Sequence, residues 1–206
     1  MSSLNMHWQN VWAAKDHTET SWFQDSPSPS LTFIDALNLN SDDSIIDVGC
    51  GESFLVDELL RRGFSSIHLL DISEMALDNV RKRVSPLGGD VSVNIHVKDI
   101  REQEPIHDLA LWHDRAVLHF LRQPHERSKY AELAAASLRS GGYIVIAGFS
   151  PDGPERCSDL EVERADESSI ANLFVKDFSM LETTRLKHVT PWGSEQDFLW
   201  CLLQRR

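Results

Sequence analysis

The stretch Asp47-Val-Gly49-Cys50-Gly51-Glu-Ser53-Phe54 follows a short β-branched run and precedes an apolar pattern of helical period. Two glycines at such a strand-to-helix turn let the backbone bend sharply and approach a ligand with no Cβ in the way. Asp71 follows Gly51 by twenty residues, at the end of the next strand-like segment, where a carboxylate accepts both hydroxyls of a ribose. Asp99, in Val97-Lys-Asp-Ile100 after a third such segment, is placed to accept from the exocyclic amine of an adenine. One such Asp would be explained by solvation of a strand end. Three in register, with the glycine turn, describe a nucleoside pocket. A fourth strand-like run delivers His113-Asp114-Arg115 to the same edge, adding groups that can hold or take up a proton.

Regular elements must carry these residues to one place. Residues 44–48 read as a buried strand, and 54–62 as a helix with apolar positions at 55, 56, 59 and 60 that stops at Gly63. A second strand at 67–70 leads to Ser73, which can cap a helix carrying Ala76, Leu77, Val80 and Val84 on one face and ending before Pro86 and Gly88-Gly89. Strands at 91–97, 108–112 and 143–148, with a helix at 126–138, repeat the alternation. A short helix at 168–174 and strands at 178–184 and 197–203 complete it. Strands alternating with helices need right-handed crossovers and a mainly parallel sheet. The last two strands have only a loop between them and so form an antiparallel hairpin. The expected fold is α/β, a seven-stranded mainly parallel sheet with helices on both faces and an antiparallel last pair. His68 and His96 alternate with apolar strand residues and are expected on the solvent side. The 206 residues read as one domain. Within it, 1–40 stands apart by composition, 41–150 is the cofactor-binding core and 151–206 is a C-terminal part on the acceptor side.

Lys and Arg number 20 against 32 Asp and Glu, a formal charge of −12, and such an excess repels phosphate backbones. Nucleic acid is excluded as main partner. No apolar run approaches a membrane span, and the N-terminal Met-Ser-Ser-Leu-Asn-Met-His-Trp8 lacks the basic start and apolar core of a secretory signal. Cys50, Cys157 and Cys201 cannot all pair within one chain and lack Cys-x-x-Cys spacing, so neither a disulfide framework nor a zinc site is expected. The nine histidines show no metal spacing. A cytoplasmic protein without metal or membrane contact fits best.

The turn itself narrows the cofactor. A dinucleotide fingerprint places Gly or Ala at the sixth position of G-x-G-x-x-G. Counted from Gly49 that position holds Phe54, whose bulk blocks the close helix–strand packing a third glycine permits. No Gly-Lys-Ser/Thr follows, so the turn is not a P-loop. The arrangement resembles the class I S-adenosylmethionine-dependent methyltransferases over roughly residues 44–148. In that family an acidic-x-Gly-x-Gly turn holds the cofactor's amino acid part, the acid after strand two binds ribose, and an Asp after strand three meets adenine. The resemblance implies S-adenosyl-L-methionine as cofactor, with Asp47, Gly49, Cys50 and Gly51 at its amino acid part, Asp71 at ribose and Asp99 at adenine. Ile72, Ile100, Trp22 and Trp112 are expected to flank it. Ser53 stands where many members have a third glycine.

Beyond the fourth strand, Trp112-His-Asp-Arg-Ala-Val-Leu118 runs on to Pro124-His-Glu-Arg127-Ser-Lys-Tyr130. The Asn/Asp-Pro-Pro-Tyr/Phe motif of adenine methyltransferases is absent. The segment is similar to the Asp-Arg-Gly/Ala-Ala-Leu and Arg-x-x-Tyr of thiopurine S-methyltransferase-like enzymes, which methylate sulfur, selenium or tellurium centres and other small acceptors. Trp8, Trp12 and Trp22-Phe23-Gln24 look like that group's N-terminal lid. Asp114-Arg-Ala-Val117 is also a looser relative of the Asp-Lys-Gly-Thr of some protein-lysine methyltransferases, and an acidic chain suits a basic protein acceptor. The resemblance therefore implies methyl transfer to a small molecule, with sulfur or another soft nucleophile as acceptor. A protein lysine, or a non-catalytic cofactor-binding module that regulates a partner, is the alternative. Asp114, His113 and Arg115 are expected at the reacting end, walled by Trp22, residues 112–115 and the 150–158 loop. A thiolate needs little base, whereas an amine must first lose a proton; Asp114, His113 and His119 are the candidate bases.

Overall fold

The aliphatic run Ser-Ile-Ile-Asp-Val becomes β1 (Ser44–Val48) in the computed structural model, which describes residues 3–87 and 92–206. Its interior is buried on both faces, as a central parallel strand requires. The chain then alternates through α3 (Leu55–Arg61), β2 (Ser66–Asp71), α4 (Glu74–Val84), β3 (Ser92–Val97), β4 (Leu109–Arg115), α5 (Pro124–Ser137) and β5 (Leu138–Phe149). It ends with α6 (Glu167–Phe174), β8 (Phe178–Val189) and β9 (Glu195–Arg205). The seven main strands lie in the order β3-β2-β1-β4-β5-β9-β8, parallel except where β9 meets β5 and β8. Strand order reverses between β1 and β4, which opens a crevice above their carboxyl ends. Val91 and the Gly88-Gly89 stop of the helix lie outside the described residues.

Strand alternation divides the core in two. Ile45, Leu111, Val145 and Trp200 face α2 (Ser28–Ala36), α3 and α4, with Trp200 stacked on Phe33 at 5.7 Å. Ile46, Trp112, Ile144 and Ile146 face α5 and α6, with Tyr130, Ile170 and Phe174. Helix α4 starts where Ser73 Oγ accepts from Ala76 N, and it buries Ala76, Leu77, Val80 and Val84.

The architecture differs from expectation in four places. The first forty residues hold two helices, α1 (Ser3–Ala14) and α2 (Ser28–Ala36), where the sequence had suggested only aromatic and turn-rich chain. The last hairpin is longer than its apolar centre, because the pairing of β8 and β9 continues through polar residues to Val189 and Glu195. The turn-rich loop after β5 contains a small hairpin, β6 (Arg156–Cys157) with β7 (Leu160–Glu161). His68 and His96 are not solvent-facing: both are half-buried and stacked, with Nδ1 of His68 3.0 Å from Nε2 of His96. Adjacent parallel strands bring the two rings together on one face.

Ile46 is fully buried at the centre of the sheet. Its replacement by Ala should lower stability by about 2–5 kcal/mol through lost burial and the cavity left behind, read as a lower denaturant midpoint in chemical unfolding.

Candidate nucleoside-cofactor site

The turn after β1 is held by its neighbour strand. Gly49 N and Cys50 N donate to the Leu70 carbonyl at 2.6 and 3.2 Å. Gly49 and Gly51 adopt φ values of 62° and 49°, a region costly for any residue with a Cβ. Asp71, at the end of β2, closes the arrangement: one carboxylate oxygen accepts from Gly51 N and the other from Ser73 N, both at 2.8 Å. One side chain thus joins the glycine turn to the start of α4. Burial pushes Asp71 up to about 6, against the opposing pull of these N–H groups.

Phe54, at the sixth position of the turn, is packed against α4 and the N-terminal segment. Phe54 turns its ring beneath the Arg83 guanidinium, 4.7 Å from the ring centroid, and edge-on to His17. Arg83 reaches across from α4 to the Asp57 carboxylate and to the carbonyls of Glu52 and Ser53 at 3.1 and 2.6 Å. It thereby secures the exit of the turn.

Above the crevice lies a cavity of about 180 Å³. Asp47, Gly49, Cys50, Gly51, Asp71, Ile72, Asp99, Ile100, His113, Arg115 and Trp22 all line it. The structure thus brings together most of the residues expected from sequence. An ionised Asp71 carboxylate has about four acceptor sites, more than these backbone donors fill, which leaves lone pairs for further donors. Asp99 accepts from the Arg101 backbone N–H at 3.0 Å and from its guanidinium. Burial raises the Asp99 carboxyl, but Arg101 outweighs burial and holds it below the usual range.

The N-terminal segment roofs this cavity. Trp8 and Trp12 of α1 both meet Trp22 edge-on, at 5.8 and 5.9 Å, and Trp8 also meets Phe120. Asn5 donates to the Ile72 carbonyl at 2.7 Å, and Gln9 accepts from Ser73 Oγ at 3.0 Å. Arg115 Nη1 donates to the Trp22 carbonyl at 2.9 Å, and His188 Nε2 lies 2.7 Å from the Ser21 carbonyl. His188 fastens this segment and is not among the residues lining the cavity, while Trp192 beyond it is 60% exposed.

Two expected site residues point elsewhere. Trp112 is fully buried on the α5 side, donating from its indole nitrogen to the Tyr130 hydroxyl at 2.8 Å. Asp114 is buried beside it. Its carboxylate accepts from Tyr130 and from the backbone of Val117 and Leu118, so it shapes the turn after β4 instead of meeting a ligand. Strand geometry is the reason: 113 and 115 face the cavity, so 112 and 114 must face away. His119, a third candidate base, is also turned away. It lies against Phe149 and Phe120, both ring nitrogens lack a partner among the described residues, and burial pushes it down to about 3.

His113 remains, in a setting the sequence did not suggest. Its Nδ1 lies 2.7 Å from Asp47 Oδ1, its β1 neighbour in register, and its Nε2 lies 2.9 Å from Ser30 Oγ on α2. All three side chains are buried and all three line the cavity. Cys157, from the small hairpin, also lines it, and burial pushes its thiol up to about 12, so it stays protonated at neutral pH. No cluster of three or more His, Cys, Asp or Glu suited to a metal occurs among the described residues.

The strand order and the glycine turn at its switch point define a Rossmann-like methyltransferase fold. Residues 45–142 match the family model of the methyltransferase domain. The ribosomal protein L11 methyltransferase of Shewanella baltica (strain OS223) is 28% identical over 142 residues, 69% of this chain and 45% of that protein. The chain therefore spans less than half the length of that relative. Among solved structures, the 1,6-didemethyltoxoflavin-N1-methyltransferase of Burkholderia thailandensis, with bound 1,6-didemethyltoxoflavin and S-adenosylhomocysteine, superposes with TM-score 0.72 at 18% identity. The superposition covers 98% of this chain and 84% of that one. A protein solved in work on conversion of a disulfide bond into a thioacetal group during echinomycin biosynthesis gives TM-score 0.77 at 14% identity, over 98% and 92% of the two chains.

A Cβ at Gly49 would lie 2.0 Å from Val117 Cγ2, whereas one at Gly63, also at positive φ, meets nothing within 4 Å. Gly49→Ala should therefore cost about 1–3 kcal/mol more than Gly63→Ala, measured as the difference in unfolding free energy between the two variants.

Proposed function

We propose that this chain is an S-adenosylmethionine-dependent methyltransferase acting on a small-molecule acceptor. The observation that carries the reading is one cavity lined by the glycine turn, Asp71 and Asp99 and roofed by the chain's own aromatic side chains. When bound, S-adenosylmethionine supplies a methyl group on a positively charged sulfur, ready for in-line displacement.

In this reading Asp71 accepts the ribose hydroxyls, Asp99 and Ile100 receive adenine, and Asp47 with Gly49, Cys50 and Gly51 holds the amino acid part. Trp8, Trp12, Trp22 and Phe120 exclude water, which favours a step in which charge is annihilated. His113 Nε2 takes up a proton through the Ser30 hydroxyl that it meets, with Asp47 behind Nδ1 to stabilise the imidazolium. The 1–40 segment acts as the lid of a single catalytic domain.

We favour sulfur as the accepting atom. Aromatic walls suit a soft, polarizable nucleophile, the segment after β4 is similar to that of thiopurine S-methyltransferase-like enzymes, and one similar structure comes from work on disulfide chemistry. The three free, buried cysteines suit a reducing compartment such as the cytoplasm. Among the described residues no helix is long and apolar enough to cross a membrane.

Incubation with methyl-labelled S-adenosylmethionine in cell extract should place label in the small-molecule fraction. Label retained on protein would favour a protein acceptor, as the name of the ribosomal protein relative suggests. Tight binding without transfer would make the chain a binding module. Asp71→Ala should weaken S-adenosylhomocysteine binding by about 1.5–3 kcal/mol, the worth of charge-assisted hydrogen bonds, measured by calorimetry.

The pH dependence follows from Asp71. Its carboxyl titrates at about 6 in the folded protein, and only the ionised form accepts from both hydroxyls. Affinity should be constant above that pH and fall below it, approaching about tenfold per unit as the proton must be displaced. Asp71→Asn should bind more weakly and lose this acid limb.

A further inference from the structure

We propose that the methyl acceptor is a small organic anion, carboxylate or thiolate, and that Arg115 is its counterion. The inference rests on the methyltransferase reading of the cavity and names the class of molecule that it takes beside the cofactor.

Arg115 closes β4 and lines the cavity beside His113, Trp22 and Cys157. Two contacts fix its guanidinium. Nη1 donates to the Trp22 carbonyl at 2.9 Å, and the group lies over the Phe198 ring, 5.3 Å from its centroid. Nη2 is enclosed and meets no acceptor among the described residues. No Asp or Glu comes within ion-pair distance of Arg115 among the described residues; Asp47 acts on it only from beyond that distance. Asp47 gives Oδ1 to His113, and Asp99 pairs with Arg101.

A cation with one edge enclosed and no ion-pair partner is expensive. Burial lowers this guanidinium to about 10, so it still carries its charge at neutral pH. A fold that needed only packing here would place an apolar side chain at the end of β4. The cost becomes intelligible if the missing charge arrives with a ligand. Aromatic walls around the guanidinium weaken the dielectric screening of that pair and so strengthen it. The chain as a whole carries −12, a field that repels small anions, so an anion preference would mark a local site and not a general attraction.

The test uses the full chain loaded with S-adenosylhomocysteine and titrated by calorimetry with benzoate, p-nitrothiophenolate and neutral benzamide. At least one anion should bind at least tenfold more tightly than benzamide, and which one does so tells carboxylate from thiolate. The preference should vanish in Arg115→Met and in Arg115→Gln, the second of which retains a donor toward the Trp22 carbonyl. Both variants should bind S-adenosylhomocysteine within about threefold of the parent, which also verifies their folding. Equal or undetectable binding of all three probes to the parent, or a preference that survives both substitutions, would overturn the proposal. So would a loss of S-adenosylhomocysteine affinity confined to the Arg115 variants, which would assign the guanidinium to the cofactor's own carboxylate. Failure of the unsubstituted chain to bind S-adenosylhomocysteine would instead refute the reading of the cavity on which the proposal rests.

Discussion

The Asp71 carboxylate is the constraint on which the site depends. It sits at the end of β2, yet its oxygens are engaged by Gly51 from the turn after β1 and by Ser73 at the start of α4. Backbone N–H groups from two separate elements are thereby fixed to one charge, as buried donors require. The roof depends on the same junction, because Asn5 and Gln9 of α1 fasten to Ile72 and Ser73 immediately beyond Asp71. The group that shapes the turn is also a wall of the cavity, so architecture and ligand binding draw on the same carboxylate.

A second constraint is the period of two along β4. His113 pairs across to Asp47 and onward to Ser30, and Arg115 reaches the Trp22 carbonyl, all on the α2 side. Trp112 and Asp114 form an equally ordered polar chain with Tyr130 on the α5 side. Four consecutive residues thus serve two purposes. The outer face fixes the turn after the strand, and the inner face meets the cavity.

Much of this was legible in the sequence, and the reasons are particular. β1 and its turn were legible because glycines at positive φ leave a pattern in residue types, and α4 because its apolar spacing and Ser73 cap agree. Asp71 and Asp99 were legible from their distance to the turn. Treating 112–115 as one wall ignored strand alternation, which was itself readable. Helix α1 was also readable, since Leu4, Trp8 and Trp12 recur at helical spacing and line the cavity together. Ser30 was not readable. Its partner His113 lies 83 residues away, and no local pattern in the Ser/Pro-rich stretch from 26 to 30 announces a buried hydrogen bond. The Phe54–Arg83 contact was likewise hidden, because it joins the start of α3 to the end of α4, 29 residues apart in sequence.

The central claim is that one cavity holds S-adenosylmethionine along the glycine turn with its ribose on Asp71. A crystal structure of the chain grown with S-adenosylhomocysteine tests it most directly. The account predicts ligand density with the amino acid part at Gly49–Gly51, the ribose hydroxyls within hydrogen-bond distance of the Asp71 carboxylate, and adenine beside Asp99 and Ile100. Well-ordered density for the cofactor in any other location, or an empty cavity at saturating ligand, would contradict it.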